Sequence, residues 1–282
     1  DGSLTSGGTQ TLGSLDKISG TTGSSDVLNA TIKSSVTPAS ITGIETINVV
    51  ANAQATLGLV NASGFNKVNA GGAAGALTIS GLPTTTTVSI SDTAVNHTLT
   101  FKEVSGSSDS ATLAFAQVTG GNSTEINIAG IETIAATSSG GSASNSFELA
   151  ATALTTITLD GSGDLTLSSL NAGGTTKLKS VDASDMTGAL DLTTGVLSLG
   201  TSVLTVTGGS GNDSIDSSAQ TGTAVSIDGG AGNDTVTHVL ATDDTIAGGA
   251  GTDNIVTTAV IGSAGNLSGF ETFTLDVTAG DL

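Results

Sequence analysis

A nine-residue pattern that occurs three times constrains this chain more than any other feature of its sequence. The pattern reads G-G-x-G-x-D-x-U-x, where U is a large aliphatic residue, and its copies begin at Gly208, Gly229 and Gly248. The starts lie 21 and 19 residues apart, which is close to two nine-residue turns. Successive copies should therefore return to the same side of a coiled chain, so the pattern predicts stacked turns over residues 208–256.

Alternating apolar and small polar residues cover much of the rest of the chain. Pairs such as Leu77 and Ile79, or Ile126 and Ile128, are separated and flanked by Thr, Ser, Gly, Asn and Asp. This alternation predicts many short strands joined by tight turns, with at most one helical turn near residues 150–154. Only 2% of the residues are aromatic. Narrow coils explain this composition, because we expect each coil to be too narrow for a large ring.

Two longer repeats support stacked coils. The segment ITGIETI at 41–47 returns as IAGIETI at 128–134 and as LSGFETF at 267–273. A second repeat begins at Val68 and returns without a gap over twelve positions from Val181. Such repeats indicate units that bury their apolar faces against their neighbours. We therefore predict an all-β, elongated parallel β-solenoid, or β-roll.

Charge and composition exclude several classes of partner and chemistry. The chain has 25 Asp and Glu against 6 Lys and Arg, a net charge of −19 and a pI near 4.1. Nucleic acids and anionic membrane surfaces are therefore poor partners. The absence of Cys excludes disulfides and thiolate metal sites. No apolar run is long enough to predict a transmembrane segment, and we expect the sequence to be a piece of a longer protein.

The three nine-residue copies carry the residues of a hard-cation site. Their glycines allow backbone conformations that turn carbonyl groups inward, and each sixth position supplies a carboxylate. These aspartates are Asp213, Asp234 and Asp253. Carbonyl and carboxylate oxygens are the ligands that Ca²⁺ prefers, and the aliphatic residues Ile215, Val236 and Ile255 should point into the core. A glycine turn with a solvated Asp is the alternative, but three copies at this spacing favour calcium.

These copies resemble the RTX nonapeptide repeats of proteins that Gram-negative bacteria secrete through type I systems. The resemblance implies a parallel β-roll with one calcium ion between turns 208–213 and 229–234, and another between turns 229–234 and 248–253. It also implies that the three aspartates are side-chain ligands. The carbonyl donors that it implies are Gly208, Ser210, Gly230, Gly232, Gly249 and Gly251. The other side of the roll departs from the pattern and should bind little calcium, except at Asp244.

The first thirty residues hold a weaker copy of the same pattern. Asp16 begins a D-x-U-x segment, and a G-T-x-G turn then leads to Asp26 with one extra residue. Both aspartates are candidate calcium ligands. Together with the GIETI repeats, this opening resembles the large S-layer proteins of Gram-negative bacteria, which have a lattice-forming β-solenoid with embedded RTX turns.

The resemblance implies an organisation and a structural function. We expect RTX-like opening coils at 1–30, a β-solenoid at 31–207, the calcium-binding roll at 208–256 and a further coil beginning at 257–282. The expected function is calcium-dependent, non-enzymatic assembly of a secreted, cell-surface S-layer, in which the chain self-associates into a lattice. Parts outside this segment would bind cell-surface polysaccharide or lipopolysaccharide. A repeat module of an RTX adhesin and the secretion and folding module of an RTX exoenzyme are the alternatives.

A few other polar residues have two interpretations. Glu45, Glu132 and Glu271 recur at one position of the GIETI repeat, where they could bind calcium or cap a turn, although an exposed glutamate is the simpler expectation. His97 and His238 are far apart in sequence and no Cys is present, so we expect solvated histidines rather than zinc ligands.

Overall fold

The chain folds into an all-β, parallel β-solenoid of about 11 turns, each of which is called a coil below. A computed structural model describes residues 10–21, 23, 25–140, 144–170, 177–257 and 266–276. Within these residues there is no α-helix, and hence no helix that could span a membrane. Residues 151–154 form a single hydrogen-bonded turn, in which the Leu154 N–H donates to the Ala151 carbonyl.

The described residues form 26 strands. In chain order they are β1 (Lys17–Ser19), β2 (Val27–Ile32), β3 (Ser40–Thr42), β4 (Thr46–Ala51), β5 (Ala55–Gly58), β6 (Ala62–Ser63), β7 (Lys67–Gly71), β8 (Leu77–Leu82), β9 (Thr87–Thr93), β10 (His97–Phe101), β11 (Ser110–Val118), β12 (Gly121–Ala129), β13 (Thr133–Ser139), β14 (Asn145–Ala150), β15 (Thr156–Gly161), β16 (Leu165–Leu167), β17 (Ser180–Met186), β18 (Leu190–Thr193), β19 (Leu204–Thr207), β20 (Ser214–Asp216), β21 (Val225–Asp228), β22 (Thr235–Thr237), β23 (Thr245–Ala247), β24 (Asn254–Thr257), β25 (Asn266–Ser268) and β26 (Thr272–Leu275).

The strands assemble into two long sheets and one short sheet, all with parallel pairing. The 12-stranded sheet runs β2-β4-β7-β9-β11-β13-β15-β17-β19-β21-β23-β25, and the 11-stranded sheet runs β26-β24-β22-β20-β18-β16-β14-β12-β10-β8-β5. From β7 onward, successive strands alternate between these two sheets, so each coil contributes one strand to each. At the N-terminal end, β1, β3 and β6 form a third, short sheet, and the coils there have three sides.

The core fills the space between the two long sheets. Along each strand, buried aliphatic residues alternate with more exposed polar ones, as the sequence pattern predicts. Equivalent residues of neighbouring coils stack in register; for example, Val68 pairs with Val88, and Val88 with Leu113. All three are buried. Every coil thus covers the apolar face of the next, which is the physical requirement of a solenoid.

The expectation that coils are too narrow for aromatic rings is wrong. Phe115 on β11 and Phe147 on β14 are both buried, and their ring centroids are 4.5 Å apart with planes tilted by 43°. They come from opposite sheets and meet in the middle of the core. A small neighbour is the partner of the ring: Phe115 pairs in the next coil with Ser138, which is also buried.

The GIETI repeat forms a corner, that is, a segment in which the chain leaves one sheet and enters the next. Its glycine adopts a left-handed conformation in all three copies, with φ of 62° at Gly43, 73° at Gly130 and 69° at Gly269. These corners join β3 to β4, β12 to β13 and β25 to β26. The same local sequence thus turns the chain at both edges of the solenoid.

Candidate cation-binding corners

The three nine-residue copies stack in register along one edge of the solenoid. Each copy forms the corner that leads from the 12-stranded sheet into the 11-stranded sheet, and these corners are 208–213, 229–234 and 248–253. The strands that follow pair through Ile215, Val236 and Ile255, which are all buried. The spacing of the copies therefore predicts the pairing of the strands correctly.

The sixth-position aspartates form a ladder of hydrogen bonds between coils. Asp213 N–H donates to Oδ1 of Asp234, and Asp234 N–H donates to Oδ1 of Asp253, both at 2.8 Å. Below them, Leu190 N–H donates to Oδ1 of Asp213 at 2.8 Å. Each carboxylate thus joins its coil to the preceding one. The three side chains are buried, with 2% exposure for Asp213 and 1% for each of the others.

The second carboxylate oxygens differ between the corners. Oδ2 of Asp213 accepts a hydrogen bond from Gly209 N–H at 2.7 Å. Oδ2 of Asp234 and Oδ2 of Asp253 are buried without a hydrogen-bond partner among the described residues. A buried carboxylate oxygen without a donor is costly, so these two atoms mark a place where a cation would be stabilising.

Burial disfavours the charged form of Asp213 and Asp234, and repulsion from nearby carboxylates adds to this effect at Asp234. Burial raises the pKa of Asp213 above its ordinary value. The pKa of Asp234 is raised to about 6, chiefly by burial and further by the nearby charges of Asp213, Asp253 and Asp228. Carboxylates that resist ionisation in the absence of a counter-charge gain most from a bound cation.

Each Asp Oδ2 lies beside a carbonyl of the next corner. The Gly248 carbonyl oxygen and Oδ2 of Asp234 both lie less than 3.0 Å from the point where a Cβ on Gly229 would stand. The Gly229 carbonyl and Asp213 Oδ2 flank Gly208 in the same way. We call this arrangement, a glycine flanked by an Asp Oδ2 and the carbonyl of the next coil, a cradle. A side chain would fill it, and the oxygens around it suit a hard cation.

The carbonyls of the cradles, those of Gly229 and Gly248, are not among the predicted donors, most of which lie instead at the contacts between stacked corners. Gly249 and Gly251 lie directly over Gly230 and Gly232, and all four have positive φ between 98° and 152°. The Gly230 carbonyl also accepts a hydrogen bond from Ala250 N–H at 2.8 Å. Corner 208–213 is different, because none of its glycines has a positive φ, and Ser210 N–H there donates to the Met186 carbonyl.

The fifth position of the pattern has a role that the sequence interpretation missed. Oδ1 of Asn212 accepts the N–H of Asn233 at 2.7 Å, and Oδ1 of Asn233 accepts the N–H of Thr252 at 2.9 Å. This second ladder runs along the exposed side of the corners, parallel to the buried aspartates. The recurrence of Asn before Asp in two of the three copies is the sequence signal for it.

On the opposite edge, Asp244 is part of a buried polar cluster. Its Oδ1 accepts Val225 N–H, and its Oδ2 contacts Ala241 N–H and His238 Nε2. His238 is only 1% exposed, and its Nδ1 lies 2.9 Å from Oγ of Ser217. Both oxygens of Asp244 thus have protein partners. Five residues before Asp244, where the nine-residue corners have the glycine of the cradle, the chain has Val239, so we assign Asp244 no metal. The Ser217 hydroxyl is buried as well, so this Ser-His-Asp set lacks the access that a nucleophile requires.

The expectation of solvated histidines is wrong for both positions. His238 is held in the cluster just described. His97 is completely buried on β10; its Nδ1 lies 2.8 Å from the Val95 carbonyl, and its Nε2 is buried without a partner in the described residues. Burial lowers the pKa of His97. The apolar alternation of the flanking residues was the signal, since His97 occupies an inward position of its strand.

The N-terminal copy reproduces the cradle at Asp26 but not at Asp16. The Gly43 carbonyl and Asp26 Oδ2 flank Gly20 in the same way as in the nine-residue corners. Oδ2 of Asp26 accepts hydrogen bonds from the Thr21 N–H and hydroxyl. Asp16 is exposed and accepts Gly13 N–H within its own turn.

The three GIETI glutamates share one contact and are turn caps. Oε2 of each accepts the N–H of an aspartate one coil earlier: Glu45 binds Asp26 at 2.7 Å, Glu132 binds Asp109 at 2.9 Å and Glu271 binds Asp253 at 2.8 Å. Only Glu271 is fully exposed, and the other two are half-buried. The GIETI corners are three residues long, whereas the nine-residue corners have six residues between strands. In the GIETI corners, the hydrogen bond from an aspartate N–H to Glu Oε2 thus replaces the hydrogen bond to Asp Oδ1 of the aspartate ladder.

The donor set of these corners is oxygen only. No three His, Cys, Asp or Glu side chains converge on one point in the described part of the chain, so backbone carbonyls would have to supply most ligands of any ion. Such a set suits Ca²⁺ better than zinc or other nitrogen- and sulfur-seeking metals. In comparisons with known proteins, no family model matches this chain, and no curated protein is significantly similar to it in sequence.

Proposed function

We propose that the row of nine-residue corners binds Ca²⁺ and that the chain is a calcium-stabilised structural segment without enzymatic activity. The observation that carries the proposal is Oδ2 of Asp234, which is buried without a partner among the described residues and lies beside the Gly248 carbonyl of the next coil. Asp213, Asp234 and Asp253 would be the side-chain ligands. Calcium would have a structural role only: it would supply positive charge to the ladder of aspartates and would take part in no reaction.

Calcium binding would remove the main electrostatic cost of the fold. Three stacked carboxylates repel one another, and this repulsion together with burial raises the pKa of Asp234. A divalent cation between coils compensates two negative charges at once and coordinates carboxylate oxygens that have no hydrogen-bond donor. Because the ion contacts two successive corners, its binding energy stabilises the stacking of coils.

We further propose that the segment belongs to a secreted, cell-surface assembly of the S-layer type. Three features support this. The fold is a stack of parallel coils; the net charge of −19 would make self-association dependent on cations; and β26, at the edge of the 11-stranded sheet, exposes Phe273 by 41% and Leu275 by 43%. Attachment to a surface polysaccharide or lipopolysaccharide would involve other parts of the protein.

Electron microscopy of the purified chain with and without calcium tests this function. Ordered sheets or filaments that form with calcium and disappear with a chelator support the assembly role. A particle that stays monomeric with calcium and binds a surface ligand would instead identify an adhesin module. A chain that binds calcium and folds, but neither assembles nor binds a ligand, would fit the secretion and folding module of an exoenzyme.

A further inference from the structure

The row of cradles continues one coil beyond the last nine-residue copy. The Gly269 carbonyl oxygen and Asp253 Oδ2 both lie less than 3.0 Å from the position of a Cβ on Gly248. Gly269 belongs to the GIETI corner that joins β25 to β26, and this corner is three residues long rather than six. The shorter corner therefore supplies the same carbonyl, in the same place, as the long corners do.

Glu271 takes the place that an aspartate has in the other corners. Its Oε2 accepts Asp253 N–H at 2.8 Å, as Oδ1 of Asp253 accepts Asp234 N–H at 2.8 Å. The longer glutamate side chain compensates for the shorter corner, and it places a second carboxylate against the backbone of Asp253, in the corner that contains the Asp253 cradle. Oδ2 of Asp253 in that cradle is buried and without a partner among the described residues.

We propose that Asp253, the Gly269 carbonyl and Glu271 form an additional site for a divalent hard cation, which closes the row of calcium ions. This inference rests on the proposed calcium binding by the preceding corners and assigns a third ion beyond the two between the nine-residue copies. Asp253 is the ligand, the Gly269 carbonyl is a second ligand, and Glu271 supplies charge beside the site. In this proposal, the last ion in the row lies between a nine-residue corner and a GIETI corner, and its ligands are carboxylate and carbonyl oxygens, as at the other two ions.

The same pairing of an aspartate corner with a GIETI corner occurs near the N-terminus. Gly20 is flanked by Asp26 Oδ2 and the Gly43 carbonyl, and Glu45 Oε2 accepts Asp26 N–H at 2.7 Å. Two corners that are far apart in the chain therefore have the same glycine, aspartate, carbonyl and glutamate. There, however, Thr21 already donates to Asp26 Oδ2, so the Asp253 site is the stronger candidate.

The middle GIETI corner shows what the arrangement looks like without a cation site. Glu132 Oε2 accepts Asp109 N–H at 2.9 Å, so the glutamate contact is intact. Five residues before Asp109, where Asp253 has Gly248, the chain has Val104. The Val104 side chain packs against Gly130, with Cγ2 2.8 Å from the position of a Cβ there. An apolar side chain fills the space, so the glutamate contact alone is structural and does not imply a cation.

This difference provides a matched pair of variants. Glu271→Gln removes the charge but keeps an oxygen that can accept Asp253 N–H, and Glu132→Gln makes the same change at the filled corner. Native mass spectrometry of the full chain, titrated with calcium chloride, counts the bound ions, and titration calorimetry gives their affinities. We expect Glu271→Gln to bind one ion fewer, or to bind its last ion with on the order of tenfold lower affinity, because calcium affinity depends on ligand charge. Glu132→Gln should match the wild type.

The outcomes separate this inference from the proposed function. If the wild type binds calcium, and Glu271→Gln binds the same number of ions with the same affinities, the additional site does not exist. If Glu271→Gln and Glu132→Gln both lose one ion, the two glutamates affect calcium binding only by stabilising the fold, and this result also refutes the additional site. A wild type that binds no calcium refutes the calcium row as a whole. Circular dichroism without calcium should be the same for the three proteins, since Glu271 is exposed.

Discussion

Asp234 N–H donates to Oδ1 of Asp253 at 2.8 Å, while Oδ2 of the same Asp253 is buried without a donor in the part of the chain that the structure describes. One carboxylate thus has two different functions in the solenoid. Its first oxygen joins two coils through the backbone, and this contact does not require an ion. Its second oxygen and the Gly269 carbonyl oxygen of the next coil both lie less than 3.0 Å from the Cβ position of Gly248, an arrangement that a cation would stabilise.

Replacement of Asp234 by Asn should separate these two functions. The amide keeps an oxygen for Asp213 N–H and places an NH₂ group beside the Gly248 carbonyl. We expect the calcium-free variant to be more stable than the wild type by about 1 kcal/mol, since a buried charge is replaced by a hydrogen bond. Calcium affinity should fall more than in Asp213→Asn, because Asp234 borders two of the proposed ions.

Calorimetric titration and chemical denaturation without calcium measure the two effects of Asp234→Asn. Asp213→Asn is the matched variant, since Asp213 Oδ2 already accepts Gly209 N–H. Equal losses of calcium affinity in both variants would show that the ions do not lie in one continuous row along the corners.

Close stacking of the corners predicts a strong effect of a single methyl group. A Cβ on Gly232, which has φ of 126°, would collide with the Gly211 carbonyl oxygen. Gly222 also has a positive φ, 77°, but no atom of the described residues outside its chain neighbours lies within 4 Å of its Cβ position. Gly222→Ala should cost about 1 kcal/mol from backbone strain alone, and Gly232→Ala about 3 kcal/mol or more.

Urea denaturation of the two alanine variants tests the stacking directly. Similar losses of unfolding free energy would mean that the coils separate easily at the corners, and that only the left-handed backbone conformation matters at these glycines.

Much of the fold was predictable from the sequence because its physical determinants are local and repeated. The alternation of apolar residues predicts the strands, and the spacing of the nine-residue copies predicts that Ile215, Val236 and Ile255 pair. The roles of the glutamates were not predictable in this way. The contact from Glu271 to Asp253 depends on which coil lies next to which corner, and this is a property of the stacking.

The buried polar residues were predicted least well. A histidine between polar neighbours suggests solvent, yet His97 points inward, and His238 lies against Asp244 and Ser217. Hydropathy alone does not identify a buried polar group whose partners come from a neighbouring coil. The Phe115–Phe147 contact was missed for a similar reason, because the room for two rings depends on small residues in adjacent coils.

Buried His97 predicts a dependence of stability on pH. Burial lowers its pKa in the folded state below the ordinary value of 6.5, so below that pH the unfolded chain binds a proton that the folded chain does not. The stabilisation is therefore complete above pH 6.5 and is lost as the pH falls. The loss approaches about 1.4 kcal/mol per pH unit while the folded histidine remains neutral.

His97→Leu should remove this part of the pH dependence. The measurement is the unfolding free energy of the wild type and of the variant between pH 5 and pH 8, which is about the range in which histidine titrates. Both proteins have the same aspartates, so the difference between the two curves gives the contribution of His97. Parallel curves for the two proteins would mean that His97 has the same pKa in the folded and unfolded states, and would contradict the prediction.

Calcium should promote self-association in a way that monovalent salt does not. At a net charge of −19, copies of the chain repel one another, and bound calcium reduces this charge while it rigidifies the corners. Analytical ultracentrifugation should show concentration-dependent association at millimolar calcium (on the order of 1–10 mM, as for weak extracellular sites). Sodium chloride at equal ionic strength is the control. Equal self-association in sodium chloride would mean that calcium acts only by screening the negative charge of the chain.

Hydrogen exchange with and without calcium tests the central claim most directly. At a hundredfold excess over Kd, each ion should add about 2.7 kcal/mol to the stability of the coils that bind it. We predict that a chelator increases exchange first in residues 208–256, at the N–H groups of Asp213 and Asp234 in particular, and leaves the coils from β8 to β13 unchanged. Exchange that is the same with calcium and with chelator throughout residues 208–256 would contradict the account.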